Sequence, residues 1–120
     1  MKRGWQLFNV TRSTVLATDL WVAESWWERA KGLLGRADLG QGQGLLLPGC
    51  RSIHMIGMRF AIDAAFIDRA GQVVALRRSL KPWAMTPPLG AAWGVVELPQ
   101  GTLNRSATQV GDQLEQGVSP

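Results

Sequence analysis

The sequence predicts a β-rich α+β fold, a small β-sandwich or barrel with one amphipathic helix at about residues 25–34. Two observations predict it. Residues 60–79 contain two runs of alternating apolar and polar side chains around a short turn, which is the pattern of a β-hairpin. Residues 25–34 combine a helix-start signal with apolar side chains that recur every three or four positions. With 120 residues and no linker, the chain is expected to form one globular domain over residues 1–120.

The composition is that of an ordinary globular protein. The apolar content is 46%, and no apolar run approaches the ~20 residues of a membrane span. The N-terminal region lacks the continuous apolar segment of a secretory signal. The single cysteine cannot form an internal disulfide, in agreement with a reducing compartment. We therefore expect a cytoplasmic protein that does not contact the membrane.

The net charge of +4 is concentrated in the middle of the chain. Residues 51–81 contain six basic and two acidic side chains, whereas the rest of the chain contains seven of each and sums to zero. An anionic ligand or partner would explain this excess. The favoured explanation is simpler, namely that these are solvated side chains on the outer faces of strands.

The first half of the chain predicts a hairpin, a helix and a short strand. Residues 5–11 and 14–22 are β-rich runs, and neither face of the second run is cleanly apolar, which favours an edge strand. Ser25 and Glu28 have the spacing of a capping box, in which each side chain accepts a hydrogen bond from the other residue's backbone N–H. Residues 45–47 are predicted to form a short buried strand.

The second half of the chain is predicted to consist mostly of strands. Residues 60–67 and 72–79 pair as a hairpin through a turn at residues 68–71. Residues 81–90 contain three prolines and predict an irregular rim loop. Further elements are expected after this loop: a strand at residues 92–98, a short helical turn at 101–107 and a short strand from about residue 110.

Taken in order, these segments resemble the domain-of-unknown-function family 192, which comprises small bacterial and archaeal domains. The matching stretches are ERAKGLLGR at residues 28–36, SIHMIGMRFAIDAAFID at 52–68, the Gly-x-Val strand at 71–73, the proline loop, VVELPQG at 95–101 and VGD at 110–112. The resemblance extends over residues 5–114 and implies a compact, mainly β domain. It implies no reaction. Many relatives carry Trp-Met-Lys-Asn near the present His54 and Arg59, so a histidine-based mechanism would not extend across the family.

The candidate site lies in residues 48–68, which hold the only cysteine, Cys50, and the only histidine, His54. In an extended chain Cys50, Ser52 and His54 point to one side, but Cys50 and His54 are about 13 Å apart, too far for a thiolate–imidazole pair. A bend at residues 48–50 would bring them closer, so a thiol-dependent enzyme or hydrolase stays open as an alternative. One cysteine and one histidine are too few for a closed zinc site. We predict no metal and no cofactor.

Arg59 and Asp63 lie four residues apart and are therefore expected on one face of a strand. A structural ion pair is the favoured interpretation. In the alternative, the planar guanidinium of Arg59 binds an anionic group that Asp63 orients. Met55 and Met58, together with Trp83 and Met85 in the proline loop, would add an apolar wall, although Met and Trp are more often core residues. Glu97 lies within the apolar run VVELP and predicts a buried carboxylate that needs a partner such as an arginine.

The preferred hypothesis is a small, non-enzymatic binding or accessory domain that binds a small anionic ligand or a partner protein. Its site is predicted from the polar and aromatic side chains of two neighbouring segments: Ser52, His54, Arg59, Asp63 and Trp83. No complete catalytic set is recognised, so catalytic residues are not assigned and enzymatic activity is left open. The first alternative is the thiol enzyme described above. The second is weak nucleic-acid binding through four basic residues, Arg51, Arg77, Arg78 and Lys81.

Overall fold

The computed structural model describes residues 2–25, 28, 38–55 and 58–118. Within these residues the chain forms a seven-stranded mixed β-sheet and a short helix. The strands are β1 (Lys2–Asn9), β2 (Thr14–Val22), β3 (Gln43–Pro48), β4 (Ile62–Ile67), β5 (Val73–Leu80), β6 (Gly94–Pro99) and β7 (Leu114–Val118). The helix is α1 (Thr102–Arg105). No helix in the described part of the chain is long and apolar enough to cross a membrane.

The strands lie in the order β5-β4-β6-β3-β2-β1-β7. Strands β2 and β3 are parallel, and the other neighbouring pairs are antiparallel. The edge strands β5 and β7 meet at their first residues, where the Val73 N–H donates to Asp112 O (2.8 Å) and the Leu114 N–H donates to Gly71 O (2.9 Å). The sheet is nevertheless not closed. The fold is therefore mostly β as predicted, but it is an open sheet instead of the predicted sandwich or barrel.

Both faces of the sheet are apolar and buried. One face carries a first core cluster that includes Leu20, Val96 and Leu98. The opposite face carries a second core cluster, in which Phe66 of β4 lies with Met55 from the segment before it. Residues from the irregular segments 50–55, 58–60 and 81–92 belong to this second cluster. These segments are therefore held against the sheet by buried side chains, and this contact positions the candidate site.

The two predicted hairpins are present as β1–β2 and β4–β5. The prediction that residues 14–22 form an edge strand was wrong, because β2 lies between β1 and β3. Register shifts interrupt the β1–β2 pairing, and the consecutive residues Leu16 and Ala17 both join the first core cluster. Such irregularity obscures the alternation from which the position of a strand is predicted.

The start of the predicted helix is confirmed by its capping box. The Glu28 N–H donates to Ser25 Oγ (3.1 Å), and Glu28 Oε1 accepts hydrogen bonds from the N–H groups of Ser25 (3.1 Å) and Glu24 (3.0 Å). These bonds satisfy backbone donors that have no partner within a helix. Beyond Glu28, the helix predicted to extend to residue 34 lies outside the described residues.

Candidate functional site

The predicted site lies where two irregular segments run antiparallel, residues 51–55 and residues 83–89, here termed the ribbon. Four backbone hydrogen bonds join the two segments: Leu89 N–H to Arg51 O (3.1 Å), Thr86 N–H to Ile53 O (2.9 Å), Met55 N–H to Ala84 O (2.7 Å) and Trp83 N–H to Met55 O (2.8 Å). The Thr86 hydroxyl adds a bond by accepting from the Ile53 N–H (2.9 Å). The ribbon is thus a defined structure although it contains no regular strand.

Side chains alternate between the two faces of the ribbon. Ile53 and Met55 are buried in the second core cluster. Ser52 and His54 are exposed, and His54 is paired across the ribbon with Met85, which is 69% exposed. Because neighbouring residues of an extended segment point in opposite directions, burial of one set places the other set at the surface. The ribbon therefore presents polar and apolar side chains together to solvent.

Trp83 begins the second segment of the ribbon in an unusual backbone conformation. Its φ is 71°, in the left-handed region, and 67% of its surface is exposed. For a residue with a Cβ this region costs roughly 1–2 kcal/mol, and it is seldom adopted by bulky residues. The fold therefore holds a large apolar side chain at the surface in a backbone conformation that suits glycine better.

Exposed basic residues flank the ribbon along the chain. Arg59 follows its first segment and Lys81 precedes its second. The Arg59 side chain has no hydrogen bond or ion pair with any other residue that the structure describes. Arg59 and Lys81 are therefore exposed cations that lie close to the ribbon in the sequence.

Asp63 lies apart from the exposed site residues. It is 1% exposed, and its carboxylate accepts three backbone hydrogen bonds, from Ser79 (3.0 Å) on one oxygen and from Gly101 (3.1 Å) and Leu103 (3.0 Å) on the other. It does not form the ion pair with Arg59 that the spacing favoured, because β4 begins at Ile62 and Arg59 is not part of the strand. These contacts give Asp63 a structural role, joining β4 to β5 and to the start of α1.

Cys50 and His54 occupy different environments. Cys50 is half-buried and packs against the second core cluster, whereas His54 lies on the outer face of the ribbon. Among the residues that the structure describes, no group of three or more His, Cys, Asp and Glu side chains is placed to hold a metal ion.

Glu97 is a buried carboxylate, as its apolar surroundings in the sequence predicted. It lies in the middle of β6 between Leu45 of β3 and Ala64 of β4 and is 5% exposed. Its Oε1 atom has no hydrogen-bond partner in the described chain, so the arginine suggested from the sequence is not seen there. Burial away from water raises the pKa of Glu97 to about 7.

The sequence did not indicate a buried polar cluster at the far end of the sheet, here termed the clasp. Its centre is Asp112, whose Oδ2 accepts from Asn9 Nδ2 (2.9 Å), Arg12 Nε (3.0 Å) and the Gln109 N–H (2.9 Å). Asn9 also donates to the Thr108 hydroxyl (3.1 Å). The Arg12 hydrogen bond, followed by those from Asn9 and Gln109, lowers the pKa of Asp112 to about 2. Asn9 and Asp112 lie 103 residues apart in the chain, and no local pattern links them.

A surface cleft was also missed. It has a volume of about 570 Å³ and lies where the segment after β3, the β4–β5 turn and the loop before β6 meet. Its polar lining comes from Arg51, Asp68 and Arg69, and Trp93 contributes an aromatic side. The basic excess of residues 51–81 was the available signal, but it did not show which of these residues meet in space.

Comparison with known proteins places these features within a family. The model of the DUF192 family, whose members are described as uncharacterised, matches residues 8–116. A UPF0127 protein of Thermococcus sibiricus is 29% identical over 113 residues, which cover 91% of this chain and 73% of the relative. A UPF0127 protein of Pyrococcus furiosus is 32% identical over 112 residues, which cover 91% of this chain and 96% of the relative.

Two solved structures share the fold. A protein of unknown function from Novosphingobium aromaticivorans has a TM-score of 0.77 and 23% identity, covering 92% of this chain and 82% of that protein. A Sinorhizobium meliloti protein, whose name proposes it as a transcription regulator, has a TM-score of 0.76 and 24% identity, covering 97% of this chain and 94% of that protein. At such identities the likeness shows the fold alone.

Proposed function

The chain belongs to the DUF192 family, and on that premise we propose that it is a small binding domain. Its ribbon binds a segment of a partner protein, and this segment carries both acidic and apolar side chains. The observation that carries this proposal is the exposed, left-handed Trp83. The proposed site consists of Trp83, Met85, His54 and Ser52, and Arg59 follows the first segment of the ribbon in the sequence.

The conformation of Trp83 favours a role outside the isolated fold. The other non-glycine residues with a positive φ in the described chain are small: Ser13, Ser79 and Ala107. Strained backbone of this kind clusters at functional sites, where surrounding structure maintains it. Because Trp83 is two-thirds exposed, burial of its side chain adds little stability to offset the cost of its left-handed backbone. Tryptophan is also among the residues that dominate binding energy at protein interfaces.

The residues near Trp83 in the ribbon and in the sequence suit a partner segment that has both apolar and acidic side chains. Met85 is an exposed and adaptable apolar side chain, of a type used at surfaces that bind varied apolar groups. His54 and Ser52 offer hydrogen-bonding groups on the same outer face. Arg59 and Lys81 are exposed nearby in the chain, and their charge would attract and orient acidic residues of a partner.

The alternatives have less support. Two of the four arginine and lysine residues assigned to nucleic-acid binding are engaged within the chain. Arg78 donates to Asn104 Oδ1 (2.9 Å) and to Thr108 O (3.3 Å), and Arg77 donates to Leu76 O (2.8 Å). For a thiol enzyme, the Cys50 thiol must reach the His54 imidazole, but Cys50 packs against the second core cluster while His54 is exposed on the ribbon. A role in transcription, suggested by the name of the Sinorhizobium protein, is compatible with a protein-binding domain.

The test is selection of a displayed library of random short peptides on the whole protein. We expect enrichment of peptides in which Asp or Glu residues flank apolar side chains. Binding of the selected peptides, measured by fluorescence anisotropy, is expected to fall by about tenfold or more in Trp83→Gly and less in Met85→Ser. Val110→Ser is the matched control, because Val110 is 62% exposed outside the ribbon. Its binding is expected to equal that of the wild type.

Three results would contradict the proposal: no enriched peptides, peptides that bind Trp83→Gly as well as the wild type, or equal losses in Trp83→Gly and Val110→Ser. A short DNA duplex tested at the same low salt concentration separates the nucleic-acid alternative. Salt-sensitive binding of the duplex without any peptide binding would favour that alternative.

A further inference from the structure

We propose that the cleft between residues 49–51, the β4–β5 turn and the loop before β6 binds a small phosphorylated molecule that also carries hydroxyl groups, of the size of a sugar phosphate or a mononucleotide. The cleft volume of about 570 Å³ lies within the range of about 300–1,000 Å³ that is usual for small-molecule sites. The cleft does not include Trp83, His54 or Met85. This inference therefore stands independently of the proposed partner-binding role.

The state of the arginine side chains carries the argument. Those that the structure engages in hydrogen bonds or ion pairs with other parts of the chain are Arg12, Arg77, Arg78 and Arg105. In the described chain, the Arg51, Arg59 and Arg69 side chains have no such contact. Two of these three, Arg51 and Arg69, line the same cleft, although they come from different segments. Two arginine side chains without a hydrogen bond or ion pair in the described chain thus line one cavity, where a phosphate could be bound through the paired hydrogen bonds that guanidinium forms.

Asp68 narrows the chemistry of the ligand. Its Oδ1 accepts from the N–H groups of Ala70 (3.0 Å) and Gln72 (2.9 Å), which fixes the turn that carries Arg69. The Oδ2 atom has no hydrogen-bond partner among the described residues. This oxygen would repel a second phosphate but would accept a hydrogen bond from a hydroxyl group. A single phosphate with hydroxyl groups therefore fits the cleft better than a polyanion.

Two further residues shape the cleft: Trp93 forms a fixed aromatic side, and Gly90 leaves open space. The Trp93 N–H donates to Ile67 O (2.8 Å), and the half-buried ring packs against the first core cluster, so the ring is held in place beside the cleft. An aromatic side chain in this position suits a flat ring or the apolar face of a sugar. A methyl group placed on Gly90 would meet no atom within 4 Å. Because Gly90 lines the cleft, a larger side chain at this position is expected to reduce the space in the cleft without a clash at the added Cβ.

The test is an NMR titration of the ¹⁵N-labelled protein with inorganic phosphate, ribose 5-phosphate and adenosine 5′-monophosphate, with ribose as the unphosphorylated control. We expect saturable shifts in the backbone signals of residues 69–70 and 90–93 with the phosphorylated probes and none with ribose. Arg51→Gln and Arg69→Gln are each expected to weaken the binding of ribose 5-phosphate by about tenfold, the value for loss of one charged hydrogen-bonding group. Arg77→Gln is the matched control, because Arg77 belongs neither to the cleft nor to the ribbon, and it is expected to leave binding unchanged.

Gly90→Leu distinguishes a ligand that fills the cleft from a phosphate group that binds only at the edge of the cleft. We expect it to weaken the binding of adenosine 5′-monophosphate more than that of inorganic phosphate. The proposal would be overturned by an absence of shifts, by shifts centred on Trp83 and His54, or by equal losses in Arg51→Gln and Arg77→Gln. Unchanged binding of adenosine 5′-monophosphate to Gly90→Leu would also overturn it.

Discussion

The clasp and the ribbon use polar side chains in opposite ways. In the clasp, Asn9 and Asp112 are buried, and each is hydrogen-bonded to other parts of the chain. In the ribbon, Ser52 and His54 are exposed, and their side chains make no hydrogen bond to any described residue. Polarity alone therefore does not identify a functional residue. What separates the two regions is whether the chain itself satisfies its polar groups.

Asp63 belongs with the clasp in this respect, although the sequence suggested a place beside His54. We expect Asp63→Ala to lower the free energy of unfolding by about 3 kcal/mol or more, because it leaves backbone N–H groups of a buried region without an acceptor. Urea denaturation monitored by circular dichroism measures the change. Arg59→Ala is the matched control and is expected to stay within about 0.5 kcal/mol of the wild type. A similar loss in both variants would show that the two residues act as a pair.

Glu97 differs from both regions, because it is buried but its Oε1 atom has no hydrogen-bond partner in the described chain. Its pKa is about 7 in the folded protein, against an ordinary pKa of 4.5 for a solvated glutamate side chain. Between these pH values the unfolded chain releases a proton that the folded protein keeps, so the contribution of Glu97 to stability falls as the pH rises from about 4.5 to 7. We expect Glu97→Gln to remove this fall and to stabilise the protein at pH 8 by on the order of 1–3 kcal/mol.

The measurement for Glu97 is urea unfolding of the wild type and Glu97→Gln across this pH range. Stability curves that run parallel from about pH 4 to pH 8 would mean that the carboxylate has a partner and remains ionised.

The clasp predicts the opposite pH dependence. The pKa of Asp112 is lowered from 3.8 to about 2, so its contribution to stability is present above pH 3.8 and is lost as the pH falls through about 2. Arg12 is the largest cause, and we expect Arg12→Ala to raise the pKa of Asp112 and to destabilise the protein by about 1 kcal/mol or less, since the guanidinium is partly exposed. Carboxyl ¹³C NMR of Asp112 reports the pKa directly. An unchanged pKa in Arg12→Ala would assign the shift to Asn9 and Gln109 instead.

Local features of the fold were predicted well from the sequence. The β4–β5 hairpin and the Ser25–Glu28 capping box depend on residues close together in the chain, and both are present. The order of the strands depends on contacts between distant segments, such as the parallel pairing of β2 with β3. No periodicity encodes such pairing, and for this reason the open sheet and the interior position of β2 were not predicted.

The candidate site shows the same division between features that depend on nearby residues and features that depend on distant segments. The extended chain predicted for residues 50–54 put Ser52 and His54 on one side, and both are exposed. Met55 and Met58 do not form the predicted apolar wall of a pocket, because both are buried in the second core cluster. The Arg59–Asp63 pair was wrong because it assumed a strand that begins before Ile62. The cleft between Arg51 and Arg69 was missed because it exists only after the β4–β5 turn has met the loop before β6.

In the proposed function, the ribbon holds Trp83 at the surface for binding and not for stability. The free energy of unfolding of Trp83→Gly, measured by urea denaturation beside the wild type, tests this role. Glycine relieves the left-handed φ but adds freedom to the unfolded chain, so we predict no loss of stability and a gain of up to about 1 kcal/mol. A loss of more than about 1 kcal/mol would contradict this role. It would mean that the Trp83 side chain buries enough apolar surface to stabilise the fold as a core residue does.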